Sequence, residues 1–502
     1  MKVRHSTTPD GEKRTDRELS RQWNSIDWDE VNSRVNRLQA RIAKATQDGN
    51  WTLVKRLTYL LAHSHSAKLL SVRIVTQNRG KRTPGVDGEL WKTASDKMRA
   101  ALILTDLQYR AHPLRRIYIP KPGKDTKRPL SIPTMRDRAM QALYAIALQP
   151  VAETTADTRS FGFRLFKCAQ DASSYAFICL GKNTSSQWIL EGDIKGCFDN
   201  ITHAWLKKNI PIDSSILSQF LKSGFIFDGT FYHTDKGTPQ GGIVSPILAN
   251  MALDGIETIL TKRFPRKKVH LIRYADDFLV TAPSKKIAEE VREIIREFLT
   301  IRGLELSSEK TVIAHIDKGF DFLGWNFRKY KGTLLIKPSH KSIKSITQKI
   351  KTVVLKAKAW TQDQLIKKLN PIIRGWTNYH RHIVAKDTFS KLDAYIWQVT
   401  WQWGKRRHPN KGHKWIADKY WHSEGNRNWV FRTKDAKLLK FSDAKIRRHT
   451  MPKLDANPYL DRNYFLERKE RLKRQTPWIQ TRLSFFALCR PKWVVKCASE
   501  LR

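Results

Sequence analysis

The sequence predicts an α+β fold, and three observations carry that expectation. Short apolar runs at Trp188–Ile194 and Val269–Val280 read as strands, and both end or turn on carboxylates. Longer segments repeat apolar residues at helical spacing, as in Val31, Val35, Leu38 and Ile42, or Ile287, Val291, Ile294, Ile295, Phe298 and Leu299. From about residue 336 the character shifts to a strongly basic, tryptophan-rich stretch with helical spacing at Leu365, Leu369, Ile372 and Ile373.

Composition narrows the partners. The 502 residues suffice for roughly two to four domains. A net charge of +46, from 93 basic and 47 acidic side chains, would repel itself and calls for a polyanion, nucleic acid first. Residues 341–502 alone carry 38 basic against 12 acidic side chains, +26, with 10 of the 17 tryptophans. Charge interleaved with rings suits structured RNA, although the rings serve equally as core. No apolar run is long enough to span a membrane, and residues 1–25 lack a signal-peptide core. Five cysteines without Cys-x-x-Cys spacing predict a reducing, cytoplasmic setting with no disulfide framework and no zinc site.

Taken in order, residues 1–25 are charged and aperiodic, which predicts disorder. A helix begins near Asp27, with Arg34, Arg37, Arg41 and Lys44 spread over the surface left by its apolar face; such a face is either solvated or laid on RNA. A second helix is expected over residues 51–75. Thr83-Pro84-Gly85-Val86-Asp87-Gly88 is a turn-rich loop. Residues 113–121 and 128–133 form a hairpin bearing Lys121, Lys124, Lys127 and Arg128. It either closes over a triphosphate or is an edge protected by charge. Residues 136–149 read as a helix, and Arg164 is a candidate nucleic-acid or nucleotide contact. Gly237-Thr238-Pro239-Gln240-Gly241-Gly242 lets the backbone approach a base pair closely, with the Gln240 amide offered to a base or sugar. A helix follows over 243–253, and another begins at Pro283-Ser284.

The chemistry centres on Tyr274-Ala275-Asp276-Asp277. The two acids form the tight turn between two strands, and a carboxylate pair there repels itself unless a cation neutralises it. Mg²⁺ is the expected cation, since it takes oxygen ligands and substrate phosphates. A second acidic strand end, Asp193, followed by Phe198 and Asp199, would complete a two-metal site.

Asp193-Ile194-Lys195-Gly196-Cys197-Phe198-Asp199, the Gly237–Gly242 loop and Tyr274–Asp277, in that order, resemble the metal-binding motifs of a reverse transcriptase palm. The wording is similar to that of the group II intron-encoded reverse transcriptases, or maturases, over about residues 26–465. The resemblance implies a right-hand polymerase. Its expected parts are a disordered N-terminus (1–25), an N-terminal extension with fingers (26–164) and a palm (165–335). A thumb that is also domain X (336–430) and a basic DNA-binding-like region (431–502) follow. It implies two Mg²⁺ on Asp193, Asp276 and Asp277 with the Ile194 carbonyl as a further ligand. Lys121, Arg128, Phe198 (as sugar gate), Gln240 and Lys310 would bind nucleotide, and Arg34, Arg37, Arg41 and Lys44 would meet RNA. Asp199 is expected to be structural. Deoxynucleoside triphosphates, intron RNA and target DNA are the implied partners, in a bacterial or organellar ribonucleoprotein without a membrane. The paired cysteines and histidine of the HNH endonuclease found in many relatives are not seen after Arg474. The expected function is copying intron RNA into cDNA and assisting splicing and reverse splicing. Rival readings are a splicing-only maturase and a reverse transcriptase recruited to phage defence or CRISPR.

Overall fold

A computed structural model describes residues 15–120 and 127–475. Its centre is a four-stranded antiparallel sheet in the order His270–Tyr274, Asp277–Ala282, Trp188–Asp193, Val312–His315. Alternation along these strands sends side chains to two separate cores. Leu190, Leu271, Phe278 and Val280 join one core with the N-terminal helices and helix Lys285–Thr300. Ile189, Ile272 and Leu279 join the other, with helix Ala169–Leu180 and the C-terminal helices. A sheet buried on both faces is held rigidly, which suits a platform for chemistry at its strand ends.

The first core is built around helix Met135–Thr155, which is buried on almost every side. Helices Trp28–Gln47 and His65–Gln77 pack against it. Buried Gln39 donates its side-chain N–H to the Ile146 carbonyl at 2.8 Å, which ties helix Trp28–Gln47 to helix Met135–Thr155. The expected single helix over 51–75 is two, Trp51–His63 and His65–Gln77. Ser64 sits between them in extended conformation and its hydroxyl accepts from Ala67 N–H, starting the second helix. The expected disorder of residues 1–25 is also corrected in part. Residues Asp16–Asn24 form a helix capped by a Thr15–Glu18 box, with Leu19 and Trp23 buried. Residues 1–14 lie outside the described residues.

Strands Leu114–Pro120 and Lys127–Ile132 pair antiparallel, with Ile119 opposite Arg128. Leu114–Pro120 also pairs parallel with Phe225–Phe227, which turns back through Thr230–Tyr232. After the central sheet comes a three-stranded meander, Phe320–Phe322, Trp325–Tyr330 and Thr333–Pro338. Helices His340–Lys356, Gln362–His380 and Lys386–Arg407 follow, and the apolar spacing at Leu365, Leu369, Ile372 and Ile373 falls on the second of them. The chain then returns to its beginning. Tyr459 packs with Ala43 and Leu165, and the Phe166 and Phe465 rings stack at 4.9 Å.

Candidate active site

Strand register brings the acids together. Asp193 lies directly opposite Asp277 across the Trp188–Asp193/Asp277–Ala282 ladder. The turn before it is tighter than the sequence reading had it: Ala275 and Asp276 form the loop, and Asp277 is the first residue of the returning strand. Ala275 takes a positive φ of 60°, which an alanine adopts only when its surroundings hold it there.

Those surroundings are specific. Residues 159–163 run alongside strand His270–Tyr274, with Phe161 N–H donating to Arg273 O at 2.8 Å and Arg273 N–H to Arg159 O at 3.0 Å. At Gly162 a Cβ would lie 2.3 Å from Ala275 N and 2.7 Å from the Tyr274 carbonyl carbon, so only glycine lets this segment touch the turn. Arg273 is fully buried beneath it. Its guanidinium is ion-paired to Asp254 and donates to Asn250 Oδ1 at 3.1 Å and to the Ala275 carbonyl at 3.4 Å. Asn250 in turn donates to Gly162 O at 2.9 Å. One buried cation thus fastens helix Ser245–Leu253, the Gly162 segment and the acidic turn. Burial pushes the Asp254 carboxyl up to about 7, against the pull of Arg273.

The electrostatics favour a cation. Desolvation is the largest cause raising Asp276, and the Asp193 charge adds to it. Asp277 reaches solvent along one edge, yet desolvation in the crowded cleft, then the charges of Asp276 and Asp193, raise it to about 7. Lys310 already acts as a counter-charge: its Nζ stands 2.5 Å from Asp193 Oδ2, and that bond raises the ammonium pKa. Ile194 is buried beside the site. It is framed by Lys195 N–H donating to Glu305 O at 2.9 Å and Ser307 N–H donating to Asp193 O at 2.8 Å. Arg128 is half-buried, and its charge is felt at Asp276.

Other expected positions fare differently. Phe198 is 9% exposed and meets Phe163 edge-on at 6.2 Å, so most of its ring is core and only a rim can face a sugar. The Gln240 side-chain amide donates to Asp199 Oδ2 at 2.9 Å, and its main-chain carbonyl accepts from Ser131 N–H at 2.8 Å. The Gly237 loop uses its smallness on protein: a Cβ there would lie 2.5 Å from Asp199 O, and Thr238 N–H donates to Phe198 O at 2.6 Å. A pocket of about 190 Å³ lies between this loop and the hairpin, lined by Arg116, Ser131, Asp199, Lys236 and Gln240 among others. Arg164 does not reach a ligand. It is buried and paired with Glu153 at 2.7 Å, its charge being spent on the fold. Lys121, and Lys124 with it, lie outside the described residues. Arg34, Arg37, Arg41 and Lys44 are all exposed; spaced by three and four, they form one stripe on helix Trp28–Gln47 rather than a scatter. Arg34 pairs with Glu30 and Lys44 with Asp48, both at the surface, where such pairs cost little to break.

Three family descriptions match this chain in succession. "N-terminal domain of reverse transcriptase" covers residues 23–104 and "Reverse transcriptase (RNA-dependent DNA polymerase)" covers 119–327. "Group II intron, maturase-specific domain" covers 343–421. Protein YkfC of Escherichia coli is 31% identical over 51% of this chain and 78% of its own length. The chain belongs to the group II intron-encoded reverse transcriptases and maturases. The group II intron-encoded protein LtrA of Lactococcus lactis is 28% identical over 59% of this chain, which spans 60% of LtrA. Telomerase from Candida albicans in complex with a telomeric RNA fragment aligns with a TM-score of 0.36 and 14% identity over 63% of each chain. That likeness is too slight to carry an argument. The reverse transcriptase match holds every acid of the cluster, and the maturase match falls on the three basic helices and on His413–Tyr420. Among the described residues no helix is long and apolar enough to cross a membrane.

One expectation about this reverse transcriptase can be read at Phe198. If its rim bounds the sugar pocket, Phe198→Ala raises the ratio of ribo- to deoxynucleotide incorporation. The same change leaves a core cavity and costs about 3 kcal/mol of stability. Thermal unfolding and single-nucleotide extension on one sample separate the two effects; an unchanged ratio with lowered Tm makes Phe198 a core residue only.

Proposed function

We propose that this chain copies intron RNA into DNA at the Asp193–Asp276–Asp277 cluster and binds the intron through its basic surfaces to assist splicing and reverse splicing. The observation that carries the first half is the register pairing of Asp193 with Asp277 beside the Asp276 turn, with Lys310 as counter-charge. An all-oxygen donor set under mutual repulsion fits a hard dication. Asp193, Asp276 and Asp277, with the Ile194 carbonyl, would hold two Mg²⁺, which supply activation of the primer hydroxyl and charge neutralisation of the departing pyrophosphate.

The protein's own groups do the positioning. Lys121 and Arg128 of the hairpin hold the triphosphate of the incoming deoxynucleotide. Gln240, steadied by Asp199, meets the base pair or sugar, and the Phe198 rim excludes a 2′-hydroxyl. Lys310, paired with Asp193 in this structure, would donate to the departing pyrophosphate. The stripe of Arg34, Arg37, Arg41 and Lys44, and the maturase helices, take the intron. The C-terminal region contacts target DNA, and the assembly works as a cytoplasmic ribonucleoprotein.

Primer extension on an RNA template with the four deoxynucleotides tests the enzyme: products should require Mg²⁺, and none at any metal concentration overturns the reading. The RNA half is tested by salt. A surface meeting roughly 6–10 phosphates loses about 10³–10⁵ in affinity between 50 and 200 mM salt. A flat dependence in filter binding would remove the role assigned to the +46 charge.

A further inference from the structure

On the side of the palm sheet that carries helix Ala169–Leu180, three side chains from distant parts of the sequence converge. Cys168 Sγ, the Asp171 carboxylate and the His449 ring offer ligand atoms that all lie within 4.8 Å of one another. His449 Nε2 is 2.7 Å from Asp171 Oδ1 and 4.0 Å from Cys168 Sγ. Asp171 is fully buried and its Oδ2 accepts from Cys168 N–H at 2.6 Å, so the carboxylate is held in place by the helix it caps. Arg468 reaches the same Oδ1 at 3.4 Å. His382 is half-buried next to His449, with ring centroids 6.2 Å apart. The polymerase chemistry uses none of these groups.

We propose that Cys168, Asp171 and His449 form a zinc site that pins segment 445–451 to the palm, with His382 or a water as the fourth ligand. Zinc bonds of about 2.3 Å to sulfur and 2.0–2.2 Å to nitrogen or oxygen put tetrahedral donors roughly 3.3–3.7 Å apart. The observed 2.7 and 4.0 Å bracket that range, so an entering ion parts His449 from Asp171 and draws Cys168 in, each by less than about 1 Å. Cys168 would bind as the thiolate, its thiol proton going to solvent as the dication enters, and the Asp171 carboxylate supplies a second negative donor. Thiolate and imidazole select zinc over the magnesium that the all-oxygen cluster prefers. The cysteine spacing predicts no zinc site because no cysteine pair is involved here and His449 lies 281 residues after Cys168.

The site has a structural purpose. Segment 445–451 has no regular secondary structure. Its further hydrogen bonds include Arg447 N–H to Arg381 O at 3.0 Å and Arg468 to Thr450 O at 2.9 Å. A metal clip that closes a long loop gains most where the segment has few bonds of its own.

Cobalt(II) is the probe. Full-length protein is stripped with chelator and titrated with cobalt(II), in the parent and in an Asp276→Asn background that weakens the magnesium site. The expected result is one equivalent of tetrahedral cobalt with a sulfur-to-metal charge-transfer band, displaced by zinc. Cys168→Ser abolishes the band, His449→Ala lowers cobalt affinity at least tenfold, and Cys179→Ser changes neither. Zinc raises the Tm of the parent and not that of Cys168→Ser, while the two unfold alike in chelator. A missing band, or one that survives Cys168→Ser, overturns the proposal. Neither outcome touches the polymerase reading, because carboxylates give no thiolate band.

Discussion

Asp276→Asn is expected to lower primer extension by at least about three orders of magnitude, roughly the 4 kcal/mol that one metal-binding charge supplies in the transition state. The same variant should leave intron splicing largely intact. Asparagine keeps the shape of the turn and removes the charge. It should not unfold the palm, and the sign of the carboxyl shifts says why. Asp276 and Asp277 are both raised, so the folded metal-free protein binds their protons more tightly than the unfolded chain does. Their contribution to stability is present below the unfolded carboxylate range and is lost as pH rises toward 7. Neutralising one of them therefore leaves the Tm of metal-free protein unchanged or higher at pH 7.

Splicing help is expected to rest on other surfaces. The stripe from Arg34 to Lys44 lies on an N-terminal helix, and the basic helices of 341–430 lie beyond the meander. The substitution alters neither. The decisive experiment is paired on one preparation: extension of a primer on RNA, and splicing of the parent intron at limiting Mg²⁺. Retained extension would remove the acids from the chemistry. Loss of both with an unchanged Tm would mean that the acid cluster also holds the intron.

The parts of this site legible in the sequence are those written locally. Alternation marked the strands, and two acids between apolar runs marked the turn, although Asp277 proved to belong to the ladder and not the loop. Helix starts were also written locally, and two were passed over. The Thr15–Glu18 box was hidden by a segment with only Leu19 and Trp23 to bury, and Ser64 by apolar periodicity that runs on across it. Arg273 was not legible in this way. A lone arginine in an apolar strand reads as a solvent-facing position, and its partners Asn250 and Asp254 stand on and at the end of an apolar helix about 20 residues upstream. Arg164 misled for the opposite reason, since a basic residue in a +46 chain invites a phosphate and this one serves Glu153. Charge alone does not distinguish a cation that builds the fold from one that meets RNA; burial does.

Gly162→Ala is expected to cost about 100-fold in polymerisation although Gly162 offers no side chain to the reaction. The added Cβ meets Ala275 N at 2.3 Å and the Tyr274 carbonyl carbon at 2.7 Å, and both are backbone atoms that cannot rotate away. Either the 159–163 segment retreats or the turn does. The turn is the weaker party, because Ala275 already sits at a φ of 60° and holds that conformation only through its neighbours. Asp276 and Asp277 would move with it, and a displacement of about 1 Å at reacting groups costs on the order of 10² in rate. The overpacking itself should destabilise the fold by about 1–3 kcal/mol. A control isolates the steric cause: Gly375, within helix Gln362–His380, has nothing within 4 Å of a new Cβ, so Gly375→Ala should raise Tm by the helix propensity of alanine. The measurement is single-turnover extension at saturating Mg²⁺, at a temperature where both variants are fully folded. Parental rates in Gly162→Ala would show that the acidic turn tolerates displacement and that the buried Arg273–Asn250–Asp254 network positions nothing the chemistry needs. A rate that falls and then recovers with Mn²⁺, which accepts looser oxygen geometry than Mg²⁺, would place the defect at the metal ligands themselves.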